Sequence, residues 1–276
     1  SEPLEPTGFT YILVDEDTEK PVARFYVQAS TTDEGFADLL ANDADIVMAL
    51  REIRPDERAR AREAGMGDMT DANRSRVLAL DAMVPIVAPS NPVDQISPQA
   101  LAEVFAGQIT NWSALGGADA PISLHLPGAR TGLGQSVEDK VMGPIGLPFA
   151  QGIIRHDLAG DVVDAVLADP FAIGIASYAE TGDGRALTLT GECGFSLSAQ
   201  RGTIKTEDYP LTAPMFLYIP ARRLPKVARE VLADMREASS QIVIRRAGFV
   251  DQAPEEVSIN DQGYRFANAV TSAGPE

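Results

Sequence analysis

The sequence predicts an α/β fold, and three observations predict it. Runs at 9–15, 22–28, 44–50, 122–126, 171–178 and 215–219 have the length and apolar content of strands. Capped helical stretches lie between most of them. No internal repeat or low-complexity block breaks the alternation, which is the order of an α/β domain. The 276 residues are enough for two ordinary domains or one large one.

Residues 9–15 and 22–28 read as two strands around a polar turn from Glu16 to Pro21. Ser30-Thr31-Thr32 then leads into a helix through about Ala41, with Thr31 and Glu34 at the spacing of a capping box. Residues 44–50 form a short buried-type strand, and Pro55 starts a charged helix. The run 77–88 is strongly apolar and broken by Pro85. Ser97 caps a helix over 98–106, with Pro98 in its first position and Gly107 as its stop. Leu101, Val104 and Phe105 give that helix one apolar stripe. The turn Ile109-Thr110-Asn111-Trp112-Ser113 carries the single tryptophan. Strand 122–126 enters a loop from Pro127 to Gly134, followed by a helix over roughly 135–142. A helical stretch at 161–169 and a buried strand at 171–178 come next. Tyr209-Pro210-Leu211-Thr212-Ala213-Pro214 runs into strand 215–219, and helices over about 225–236 and 238–247 follow, the last capped by Gly248. The tail after Asp251 is polar, with a helix-like segment at 264–270.

The net charge of −17 opposes general binding to phosphate backbones or anionic lipid surfaces, so no nucleic-acid partner is expected. A small anion needs only a few local donors and stays open. Cys193 is the only cysteine, which excludes an intrachain disulfide. With His125 and His156 the only histidines and far apart in the sequence, no transition-metal cage and no cofactor is expected. No GxSxG, P-loop or zinc motif is present. Ser136, His125 and Asp139 are near in sequence, which does not make a triad, and the expectation is a protein without catalysis. No apolar run approaches the ~20 residues of a membrane span, and no signal peptide opens the chain.

Several segments go further than periodicity. Phe105 to Trp112 resembles the F-x-G-x-I-T-N-W segment of phosphate-type periplasmic solute-binding proteins. Ala44-Asp45-Ile46-Val47-Met48-Ala49-Leu50-Arg51-Glu52-Ile53-Arg54-Pro55 is similar to that family's A-D-I-x-M-A-S-R-x-I-x-P. Residues 84–92 resemble its first interdomain crossing and residues 172–177 its A-I-G-Y strand, while 209–212 and 247–250 match the second crossing and closing helix. The order spans about 30–251. The resemblance implies the two-lobed type II periplasmic-binding-protein fold, with one lobe from 1–84 plus 213–251 and a second from 87–208. Residues 252–276 are then a tail or linker, and the passages near Pro85 and Pro214 are the hinge. It also implies capture of phosphate or a related small oxyanion in the periplasm or cell envelope, for the membrane subunits of an ABC importer.

Three loops would face the cleft. Thr32 lies in a hydroxyl cluster before a helix, where free amides and hydroxyls suit an anion without any cation; simple capping is the ordinary use of such a cluster. Asp33 and Glu34 suit the helix dipole but compete with an anion. Arg51 follows the end of strand 44–50, and an ion pair with Glu52 or Asp56 is its competing use. Arg130, Thr131 and Gly132 fall on the family's R-x-x-G-S-G-T anion loop. There Thr131 takes the Ser position, Gly132 the second Gly and Leu133 the final Thr, with Pro127 at the Arg position. Leu50 also stands where the family presents a Ser or Asp. Nothing before Ser30 matches the family's opening Ser/Thr-Gly loop. The ligand set implied is therefore Thr32, Arg51, Arg130, Thr131 and Gly132. The alternative is a degenerate structural or sensing module of the cell envelope. Its partner would be peptidoglycan, through a downstream domain of the outer-membrane-protein-A type.

Overall fold

The alternation begins with a ribbon whose turn is set by local hydrogen bonds. The computed structural model describes residues 7–15, 17–191, 194 and 196–254. Cys193 and the helix expected at 264–270 lie outside the described residues. Strands β1 (Thr7–Val14) and β2 (Pro21–Ala29) pair antiparallel, with Phe9 opposite Val27 and Tyr11 opposite Phe25. The Asp15 carboxylate accepts from Thr18 N at 2.8 Å and closes the turn. This ribbon is a separate sheet.

Helix α1 (Thr32–Ala41) carries the capping box that the sequence spacing predicts. Thr31 Oγ1 accepts from Glu34 N at 3.2 Å, and Glu34 Oε2 accepts from Thr31 N at 2.9 Å. Strand β3 (Val47–Ala49) is shorter than the 44–50 run, and α2 (Pro55–Glu63) starts at its proline. Strand β4 (Ser75–Val87) continues straight through Pro85. The Pro85 carbonyl accepts from Leu187 N, at 2.8 Å.

Beyond it come β5 (Gln95–Ile96), α3 (Pro98–Phe105), β6 (Ser123–Pro127) and α4 (Gly132–Val137). Ser97 Oγ accepts from Ala100 N at 3.0 Å, the cap read from sequence. Trp112 is buried and donates from Nε1 to Phe171 O at 2.8 Å. Helix α4 begins three residues before the expected 135, because Thr131 Oγ1 caps Gly134 N at 3.0 Å. It then widens into a π-turn at Glu138–Met142.

The remaining elements are β7 (Ile154–His156), α5 (Ala159–Ala168), β8 (Ala172–Ser177), β9 (Arg185–Ala186), β10 (Thr188–Thr190) and β11 (Ser196–Leu197). They are followed by α6 (Arg201–Lys205), β12 (Thr212–Tyr218), α7 (Lys226–Asp234), α8 (Ala238–Arg246) and β13 (Val250–Asp251). Pro214 lies within β12, opposite Leu80.

The main sheet runs β3-β12-β4-β8-β6-β7, with β9 and β13 also on β4. Strand β4 is its shared member. Residues 75–82 pair with β12, and residues 83–87 pair with β8. The return passage lies beside it, where Met83 N donates to Leu211 O at 2.9 Å. Asp81 sits at this crossing, buried, accepting from Ser177 Oγ at 2.7 Å and from Ala82 N at 2.8 Å.

Apolar burial divides along the same line. One cluster joins Val84, Leu101, Phe105, Leu126, Val137, Ile173 and Ile175. A second joins Phe36, Leu39, Val47, Met69 and Tyr218, and a third holds Leu217, Leu224 and Leu232. The molecule is a two-lobed α/β structure whose two chain passages run side by side.

Candidate functional site

Two helix N-termini meet where the halves of the molecule touch. Thr32 opens α1 and is buried; Gly132 opens α4 from the other side. A Cβ on Gly132 would lie 2.8 Å from Thr32 Oγ1 and 3.0 Å from Leu50 Cβ, so only glycine allows this approach. The first-turn amides of each helix have no partner within the helix, and this is the local reason such ends suit anions. Leu50 faces Gly132 here with an apolar side chain, whereas Leu133 is buried in the core cluster that holds Val137.

Thr131 is spent on structure. Its hydroxyl donates to Gly128 O at 2.8 Å while accepting the Gly134 amide. A Cβ on Gly134 would strike Gly128 O at 2.0 Å, which fixes glycine there as well. Arg130 is exposed at the rim, 3.8 Å from the exposed Glu34 carboxylate. The amide that caps Glu34 holds its carboxyl below the ordinary value.

Arg51 is the buried cation of the site, with 2% of its side chain exposed. Nη1 and Nη2 donate to Glu57 Oε2 and Oε1 at 2.8 and 2.7 Å, a bidentate pair. Nη2 also donates to Asp33 Oδ1 at 2.6 Å, Nη1 to Glu52 O at 2.9 Å, and Nε to Gln135 Oε1 at 2.6 Å. Its Cζ lies 5.2 Å from the centroid of the Phe36 ring. Burial by itself lowers the proton affinity of the guanidinium. The Glu57 and Asp33 carboxylates outweigh it and hold the charge. Its side-chain partners are thus Glu57 and Asp33, whereas Glu52 contributes only its carbonyl and Asp56 pairs with Arg60.

Sequence reading missed Gln135 and weighed Ser136 only as a member of a catalytic triad. Gln135 Nε2 donates to Asp33 Oδ2 at 2.8 Å, and Ser136 Oγ donates to Leu50 O at 2.6 Å. The available signal was the cap itself. A helix opened by Thr131 turns its residues 135 and 136 toward whatever faces its first turn. Further along, Arg54 pairs with Asp139 at 2.9 Å and Lys140 Nζ donates to Thr212 O at 2.7 Å. Beside this seam a cavity of about 480 Å³ opens between Arg51, Arg54, Ser136, Lys140, Pro214 and Phe216. Thr32, Arg130, Thr131 and Gly132 do not line it. Among the described residues no cluster of three or more metal-ligating side chains occurs.

The chain is similar to several known proteins. It is 21% identical over 197 residues to the phosphate-binding protein PstS of Borreliella burgdorferi, covering 69% of this chain and 70% of that one. It is 24% identical over 255 residues to protein SphX of Synechococcus elongatus, covering 87% and 72%. Among solved structures, an ABC-type phosphate transport receptor from Vibrio cholerae superposes with a TM-score of 0.66 at 21% identity, over 81% of this chain and 85% of that one. A phosphate-binding protein from Stenotrophomonas maltophilia superposes with a TM-score of 0.61 at 13% identity, over 82% and 83%. The family model for a PBP superfamily domain matches residues 7–233, and the chain belongs to that superfamily.

Proposed function

We propose that this chain is an extracytoplasmic solute-binding protein. It captures phosphate or a related small oxyanion by hinge closure and hands it to the membrane subunits of an ABC importer. The observation that carries this reading is the meeting of two capped helix N-termini, at Thr32 and Gly132, across the seam. Opening about the two passages separates them; closing brings the first-turn amides and the Thr32 hydroxyl onto one anion and excludes water. The lobes are 1–84 with 213–251, and 87–208, with 252–276 as tail or linker. Two apolar clusters lying wholly in the first support that division, while the large cluster of the second also takes in Leu80, Ala82, Met83, Val84 and Val250 at the crossing. Thr32 donates its hydroxyl, Gly132 its amide, and Arg51 or Arg130 supplies charge, while Thr131, whose one O–H goes to Gly128 O, holds the end of the helix in place. The superfamily and the phosphate-binding names of its relatives support the ligand class. No helix among the described residues is long and apolar enough to cross a membrane. The protein works in the periplasm without catalysis.

Calorimetric titration with phosphate, sulfate and small carboxylates tests this reading. Heat with phosphate, reduced in Thr32→Ala, is the expected result; no heat with any of them overturns it.

One observation favours a second reading. Arg51 is fully engaged by protein groups, and Leu50 stands at the seam. A degenerate envelope module, tethered to peptidoglycan by a downstream domain, would have this construction. Sedimentation of the full gene product with purified cell wall, together with silent calorimetry, would select it.

A further inference from the structure

Asp33, Arg51 and Gln135 form a closed ring across the seam. Arg51 Nη2 donates to Asp33 Oδ1 at 2.6 Å, Gln135 Nε2 to Asp33 Oδ2 at 2.8 Å, and Arg51 Nε to Gln135 Oε1 at 2.6 Å. Asp33 and Arg51 belong to the elements packed around Phe36, and Gln135 to the helix packed around Val137. One carboxylate thus bridges a buried guanidinium and a buried amide, each supplying one N–H to one oxygen. That is how a bound oxyanion would be held at the same two donors.

The carboxylate is surplus to the guanidinium's charge. Glu57 already pairs with Arg51 through both oxygens, and is itself fixed by Arg54 N at 2.7 Å. Asp33 keeps 54% of its side chain exposed, so water or a solute reaches the oxygens that Arg51 and Gln135 hold. Removing it strands no buried charge, because Glu57 stays.

We propose that Asp33 is a resident anion: its carboxylate, gripped by Arg51 and Gln135, draws the two lobes together without any ligand and must be displaced by a solute that takes those donors. Asp33 then determines specificity. A monocarboxylate gains nothing by the exchange, whereas a doubly charged tetrahedral oxyanion does. Apparent affinity falls by the fraction of molecules in which the seat is free. The closure half rests only on the two lobes proposed above; the displacement half rests on the oxyanion reading.

The test places spin labels on exposed helix positions of the two lobes, Glu63→Cys and Gln99→Cys, in a Cys193→Ser background. Ligand-free protein is expected to give one short distance. Asp33→Ala and, separately, Gln135→Ala are expected to move much of the population to a longer one. Excess acetate should restore the short distance in Asp33→Ala alone, since only there is a carboxylate seat vacant. A distance distribution in both variants equal to that of the parent overturns the proposal, as does a parent that is already open. Circular dichroism melting keeps unfolding distinct from opening. In calorimetry with inorganic phosphate, Asp33→Ala should bind at least about tenfold tighter than the parent. Silent titrations with a normal label result would sink the oxyanion reading and the displacement half while leaving the resident closure intact; equal affinities would remove the displacement half alone.

Discussion

Arg51 shows how one residue's role depends on what faces it. The sequence offers it as a candidate ligand; the structure surrounds it with Glu57, Asp33, Gln135 and a carbonyl. Arg51→Ala leaves Glu57 buried with its charge uncompensated, a change that costs about 3–5 kcal/mol in comparable buried pairs. A loss of that size in urea denaturation is expected. A loss below about 1 kcal/mol, the range of an exposed pair, would show that the guanidinium is not holding the seam. Thr131, another candidate ligand, spends its hydroxyl on Gly128 and Gly134, so its first duty is to the cap.

At the scale of elements, the closing strand is tied down by one carboxylate. Asp251 on β13 is fully buried and receives Arg201, Lys205 and Arg245, from α6 and α8. Burial alone raises its pKa. The Arg245 hydrogen bond and the Lys205 and Arg201 charges outweigh this and hold it at about 2, against an ordinary value of 3.8. A depressed carboxyl contributes its full stability above the unfolded value and loses it as pH falls through the folded one. Stability should therefore drop between about pH 4 and pH 2, and Asp251→Asn should flatten that part of the acid denaturation curve. An unchanged acid profile in the variant would show that these ion pairs are solvated. The cap of α4 carries a related lesson: a helix expected from 135 starts at Gly132, because Thr131 outweighs the weak helix propensity of two glycines.

The whole molecule is uneven in stability. Strand β4 belongs to both halves, is buried along most of its length, and pairs on both sides. The β1–β2 ribbon forms its own sheet and leaves Phe9, Tyr11, Ile12 and Tyr26 more than half exposed. Two strands alone are marginal in water. Amide hydrogens of residues 7–29 are expected to exchange far ahead of those of 79–87. Comparable protection in the two segments would mean that the ribbon has a partner in solution.

Local chemistry was legible in the sequence. The Thr31–Glu34 box, the Ser97 cap, the Pro55 start and the alternation of elements depend on neighbours within four residues, and each formed as the spacing predicts. The motif order likewise indicated the superfamily, since it survives as sequence. What the tertiary structure decided was the partnership at the seam. Gln135 lies 84 residues from Arg51 and 102 from Asp33, and no periodicity relates them. The continuity of β4 through Pro85 was also decided there, because a proline's place in a sheet depends on which side of the strand needs a donor. Short-range hydrogen bonds and side-chain spacing are properties of a segment; the neutralisation of a buried charge is a property of everything packed around it.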